Sequence, residues 1–234
     1  MKLRQNQAGS AAMIAVVLVA LTVIGLVGYK VMSASKTDSA KASTTTAASD
    51  NLNTQKASDL RANLVTLGVE HMILTNKAVD DALDGGKAAK ESGAALYANG
   101  DAIGAAVGSV YGAEAEKTFN TVWKIHLDEF VNYAVASSKG DAAGKAKALE
   151  TIDTQYTKPL SAYLAKANPN LPEATLNAVL SDHVKMTAKM IDAHTAGNYK
   201  AEYEELNHAN RHMKDIMSTL AGGIVKQYPE KFQD

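Results

Sequence analysis

Apolar residues recur every three or four positions through most of the chain after residue 57, the spacing that puts side chains on one face of an α-helix. The first such stripe comprises Leu60, Leu64, Leu67, His71, Leu74, Ala78 and Ala82. Because His71 falls within the stripe, we expect its imidazole to face the interior. Ser58, a residue type that caps helix N-termini, predicts the start of this helix.

Glycine and proline residues divide the region into six predicted helices. Their expected ranges are about 58–84, 87–110, 114–138, 141–166, 172–196 and 199–227. We expect the fourth helix to bend near Pro159. The second carries glycine at every fourth position, which favours close approach of a neighbouring helix: Gly100, Gly104, Gly108 and Gly112.

One spacing recurs three times: a histidine lies 14 or 15 residues before a glycine break. The pairs are His71 and Gly86, His126 and Gly140, and His183 and Gly197. This internal repeat predicts three copies of a helical hairpin. The predicted fold is therefore all-α, an antiparallel six-helix bundle built from three repeated hairpins, with the three imidazoles at a similar height.

Two interpretations of the histidines remain open. A polar residue follows each glycine by 13 positions, at the height of the histidine, and could satisfy it by an interhelical hydrogen bond: Asn99, Asp153 and Asn210. Alternatively, four imidazoles share one metal site, because imidazole nitrogen suits copper and zinc. The candidate ligands are His71, His126, His183 and His212.

The fifth predicted helix carries a second pattern, with His183, Met186, Met190 and His194 along one narrow stripe. Thioethers beside imidazoles can bind Cu(I), although methionine at this spacing is more often core filling. Motifs of common enzyme classes, such as G-x-S-x-G, a Walker loop or H-E-x-x-H, are absent from the sequence. We therefore expect a binding or structural protein and not an enzyme.

Composition supports an all-α fold, since only 3 Phe and 1 Trp occur among the 234 residues. The chain contains no cysteine, which rules out disulfides, thiolate ligands and a cysteine nucleophile. A net charge of −1 disfavours nucleic acid as a partner.

The amino terminus predicts membrane attachment. Ala11 to Tyr29 contains no charged residue and approaches the ~20 residues that cross a bilayer as a helix. Lys2 and Arg4 precede it, so we expect this end in the cytoplasm and the rest of the chain outside. A cleavable signal peptide is the alternative, with small residues at 33–35 as the cleavage region.

The predicted organisation thus has four parts. Residues 1–10 form a basic cytoplasmic segment, 11–32 a transmembrane signal anchor, 33–56 a linker rich in Ser, Thr and Ala, and 57–232 an extracytoplasmic helical bundle. The predicted localisation is the cell membrane, crossed once. An envelope or extracellular protein is the expected macromolecular partner.

Several short motifs carry a family resemblance: Glu70-His71, Ser109-Val110-Tyr111-Gly112, Phe130-Val131-Asn132-Tyr133, Asp182-His183-Val184, His212-Met213 and the closing segment 227–232. Together they resemble the helical domain of secreted Gram-positive bacterial proteins labelled copper amine oxidase N-terminal-domain proteins, over about residues 57–232. The four candidate histidines match that pattern. The resemblance implies a secreted helical domain but not amine oxidation, because the copper label belongs to a neighbouring domain.

The sequence therefore supports two functional hypotheses. One is a membrane-anchored binding protein that holds copper or zinc through its histidines. The other is an adhesion or protein-interaction module of the cell envelope in which the histidines are purely structural.

Overall fold

The computed structural model describes residues 53–233, which are helical with no strand among them. The helices are α1 (Gln55–Leu83), α2 (Ala89–Tyr111), α3 (Ala113–Ser138), α4 (Ala142–Ile152), α5 (Lys158–Ala167), α6 (Glu173–Thr195) and α7 (Tyr199–Gln227). A π-helical turn (Asp153–Thr157) joins α4 to α5 in one continuous rod, and a 3₁₀ turn (Pro229–Phe232) follows α7. The all-α class and the six helical rods are confirmed.

Most helix ends lie where the sequence predicts them, because the turn residues act locally. Gly85, Gly140 and Gly197 adopt φ values of 66° to 68°, a left-handed conformation that suits glycine. The predicted cap Ser58 is wrong. α1 begins at Gln55, within the segment assigned to the linker, and the Thr54 hydroxyl accepts from Ala57 N at 3.2 Å. Thr54 also donates to the carbonyl of Phe232, a distant contact that no local pattern contains.

The six rods form two groups. The inner helices α1, α3 and α6 contact one another. Each outer rod packs against two of them: α2 on α1 and α3, the α4–α5 rod on α3 and α6, and α7 on α1 and α6. Side chains on the inward faces of α1, α3 and α6 therefore meet in the middle of the fold.

Three of the four glycines predicted to permit a close helix contact have that role. The fourth, Gly112, lies just after α2 with φ 92°, and a Cβ added there would meet nothing within 4 Å. A Cβ built on Gly100 would lie 2.9 Å from the Trp123 ring, and one on Gly104 would collide with Asn120. Gly108 is similarly close to Glu116. All three contacts are made by α3, so the missing side chains let α3 approach α2 closely.

None of the helices within residues 53–233 has the length and apolar character needed to cross a bilayer. The predicted transmembrane anchor, residues 11–32, and most of the predicted linker lie outside the described residues.

Candidate metal centre

Each inner helix contributes one histidine to a buried cluster, which we call the histidine triad: His71 from α1, His126 from α3 and His183 from α6. None of the three is more than 1% exposed. The ring centroids are 5.7 Å apart for His71 and His126, 6.0 Å for His71 and His183, and 6.3 Å for His126 and His183. One nitrogen from each ring lies within 4.8 Å of the others.

The triad is short of hydrogen-bond partners. Within residues 53–233, both ring nitrogens of His126 and of His183, and Nδ1 of His71, are buried with no hydrogen-bond partner. A neutral imidazole carries one N–H donor and one lone pair, and burying such groups unpaired costs about 1–3 kcal/mol each. The cluster therefore contains several nitrogen atoms whose bonding capacity is unused.

Burial keeps the triad neutral. Desolvation lowers the pKa of His71 from 6.5 to about 4, an effect that the nearby Asn99 side chain partly opposes. It lowers the pKa of His183 to about 3, and the neighbouring His71 and His212 contribute to the same shift. The pKa of His126 also falls well below 6.5, through burial and then repulsion from the other two rings, and the backbone of Trp123 partly opposes this shift. At pH 7 all three imidazoles are neutral, the form that binds metals.

Aromatic rings enclose the triad. Trp123 meets His126 edge-on at 4.7 Å and His71 at 5.1 Å between ring centroids. Tyr156 stacks on His126 at 4.1 Å with an interplanar angle of 25°. Neither Trp123 Nε1 nor the Tyr156 hydroxyl has a hydrogen-bond partner in the part of the chain that the structure describes. The histidines thus lie partly within a shell of aromatic rings.

Tyr156 reaches His126 from the π-helical turn. The expected disturbance near Pro159 takes this form, because proline cannot donate to residue 155 and its ring would clash with that carbonyl in a regular α-helix. The wider turn is a backbone feature that periodicity does not show.

His212, the fourth candidate ligand, is not part of the triad. Its Nε2 lies 2.8 Å from the carbonyl oxygen of Val179, so it donates a hydrogen bond to α6. The spacing from Gly197 predicted its height along the bundle but not its direction. Because α7 is an outer helix, the ring faces the side of α6 and not the centre.

The predicted hydrogen-bonded pairs do not form at His126 and His183, whose nitrogens lack partners. Asp153, the proposed partner of His126, instead forms an ion pair with Lys158. Asn210 leaves its own Oδ1 buried and unpaired. Only Asn99 lies beside its histidine, while its amide donates to Leu67 O at 3.0 Å and to Glu70.

The histidine and methionine stripe on α6 does not converge on one site, and its partly buried Met186 packs against the apolar core. His183 belongs to the triad and Met190 is fully buried in the apolar core. His194 joins a second cluster, where its Nδ1 lies 3.0 Å from both Asp80 Oδ1 and Glu202 Oε2. Its Nε2 is 3.3 Å from Asp84 Oδ1.

Sequence reasoning missed this second cluster. All its members lie within five residues of Gly85 or Gly197. This shared proximity to the glycine turns is the sequence signal that could have revealed the second cluster. Burial raises the pKa of Asp80 to about 6, with repulsion from Glu202 adding to the effect. Burial opposes the charged form of His194, but Glu202 and Asp80 outweigh it and raise its pKa. The cluster is an ion pair that links α1, α6 and α7.

No family model, curated protein or solved structure matches this chain. The fold and the site therefore define it by class, as an all-helical protein with a buried histidine triad. The resemblance to the helical domain of copper amine oxidase N-terminal-domain proteins stays a prediction from sequence.

Proposed function

We propose that this protein binds one transition metal ion, copper or zinc, through His71, His126 and His183. The observation that carries the proposal is the convergence of three neutral, buried imidazoles with five unpaired nitrogens. Such a cluster is costly unless something satisfies it, and a metal ion bound to one nitrogen of each ring would do so.

The distances fit one ion after a modest adjustment. With metal–nitrogen bonds of ~2.0–2.1 Å, tetrahedral ligands are about 3.3 Å apart. The triad nitrogens lie within 4.8 Å, so small ring rotations close the gap. Three protein ligands leave a fourth position open on the ion. Because the affinity of nitrogen sites for divalent metals peaks at copper, we expect Cu²⁺ to bind more tightly than Zn²⁺.

We further propose that the bundle is an antiparallel array of three repeated hairpins held outside the cell by the predicted transmembrane anchor. The three inner helices with one triad histidine each, and the three glycine turns of similar φ, support the repeat. The uncharged stretch after Lys2 and Arg4 supports the anchor and its orientation. Membrane fractionation of cells producing the full chain, with protease added outside, tests both attachment and orientation.

The test of metal binding uses the full-length protein in detergent, freed of metal with a chelator and then titrated with Cu²⁺ or Zn²⁺. We expect one ion per chain by calorimetry. At an ion concentration 100 times Kd, binding stabilises the fold by about 2.7 kcal/mol, or roughly 5–10 °C in Tm for a domain of this size.

Two variants sharpen the result. His126→Leu keeps the side-chain volume and removes two unpaired nitrogens, so we expect a folded protein that has lost metal binding. The exposed His208 provides the matched control, and His208→Ala should bind as the unaltered protein does. If neither metal changes the Tm of the unaltered protein, the proposal is contradicted, and the interaction module with structural histidines is favoured.

A further inference from the structure

A cavity of about 90 Å³ lies directly beside the triad. We call it the side cavity. It runs along α1 from His71 to Leu83, and its other walls come mainly from α3 and α6. Residues that define it include His71, Thr75, Val131, Ala134, His183 and Thr187.

The walls of the side cavity are almost entirely apolar. No Lys, Arg, Asp or Glu is among the described residues that line it. Its two hydroxyls are occupied, because Thr75 donates to the carbonyl of His71 at 2.8 Å and Thr187 to that of His183 at 3.0 Å. His71 and His183 are the triad members that line this wall, and their unpaired nitrogens are buried behind it.

The side cavity also reaches the protein surface. Val131 and Val135 both line it, and they are 56% and 45% exposed. These two side chains stand one turn apart on α3. The side cavity therefore extends from two triad residues, His71 and His183, to two side chains at the surface.

We propose that the side cavity admits a small uncharged molecule of the size of a diatomic gas to the open coordination position of the bound metal. This inference rests on the proposed metal site. The cavity exceeds the 10–15 Å³ that one water needs but is smaller than the ~150 Å³ cavity that accepts benzene. An anion crossing the side cavity would lose hydration and meet no cationic side chain before it reached the ion.

The test uses the full-length protein loaded with one equivalent of Cu(I) under anaerobic conditions, with carbon monoxide as the uncharged probe. Carbon monoxide bound to Cu(I) is detected by its infrared stretching band. We expect one carbon monoxide per copper. Azide, a small anion, should bind the Cu²⁺-loaded protein at least 10-fold more slowly than it binds a solvent-exposed copper–histidine complex.

Filling the cavity separates access from metal binding. Ala134→Leu adds bulk within the cavity, and we expect it to slow carbon monoxide binding at least 10-fold while copper stoichiometry stays at one. Ala105→Leu, on the exposed face of α2, is the matched control and should leave both unchanged.

Xenon provides a measurement that does not need the metal. We expect xenon to bind the metal-free protein, detected by ¹²⁹Xe NMR, and to lose this binding in Ala134→Leu if that variant is folded. Copper binding without carbon monoxide or xenon uptake would overturn the inference and leave the metal site standing. A protein that binds xenon but no metal would overturn the metal site, and with it this role of the cavity.

Discussion

At the scale of single residues, what sets the candidate site apart is unpaired polarity and not charge. Tyr156 is completely buried and its ring stacks on His126, but its hydroxyl has no hydrogen-bond partner among the described residues. Tyr111 offers the contrast, because its hydroxyl donates to Gln227 Oε1 at 2.7 Å and accepts from Asn168 at 2.9 Å. Two tyrosines of one fold thus differ in whether the hydroxyl is satisfied.

This contrast predicts opposite effects of one substitution. Tyr156→Phe keeps the ring and removes an unsatisfied hydroxyl, so we expect the metal-free protein to gain about 1 kcal/mol in its free energy of unfolding. Tyr111→Phe removes a hydrogen-bonded hydroxyl and leaves the Gln227 and Asn168 side chains without that partner. We therefore expect the free energy of unfolding to fall by about 1–2 kcal/mol. Urea unfolding measures both. A loss of stability in Tyr156→Phe would show that its hydroxyl has a partner.

At the scale of helices, the sequence predicts what is local and misses what is tertiary. The glycine turns and the periodic stripes predict six helices, because backbone conformation and the apolar face are set by neighbouring residues. The glycine spacing on α2 predicts a close helix contact without identifying Trp123 as the residue that fills it. The π-helical turn and the direction of His212 depend on contacts between helices, so periodicity could not supply them.

The α2–α3 contact gives a test with its own control on the same helix. In Gly100→Ala the new Cβ would lie 2.9 Å from Trp123, which packs on the triad, so we expect a loss of about 1–3 kcal/mol. In Gly93→Ala the Cβ meets nothing within 4 Å, so we expect a gain of up to about 1 kcal/mol from helix propensity. Thermal unfolding measures both changes. Equal effects at the two positions would mean that α2 and α3 do not pack closely at Gly100.

At the scale of the whole molecule, two clusters of opposite proton linkage hold the inner helices together. The triad histidines have lowered pKa values in the folded state. As the pH falls, these histidines are therefore protonated in the unfolded chain before they are protonated in the fold, so acid favours unfolding. His194 has a raised pKa, so the folded state binds its proton more readily, and this stabilisation is lost as the pH rises above 6.5 through the folded pKa. Asp80, whose pKa is raised to about 6, loses its contribution at lower pH, between about pH 4 and 6, where it partly opposes the effect of the triad. The stability of the metal-free fold should therefore decline on both sides of an intermediate pH.

Two variants separate these contributions. Between pH 6.5 and pH 4 the triad's part of the stability falls with pH, and His183, whose pKa drops to about 3, accounts for about 3 kcal/mol of it. We therefore expect His183→Leu to lose less stability than the unaltered protein over this range. His194→Gln should instead flatten the decline in stability above pH 6.5, because it removes the group whose charged form the folded state favours.

Urea unfolding across pH 4 to 9, with a chelator present, measures the decline in stability on both the acid and the alkaline side. Parallel curves for His183→Leu and the unaltered protein below pH 6.5 would mean that the buried imidazole is protonated in the fold, which a cluster of neutral metal-binding histidines does not allow.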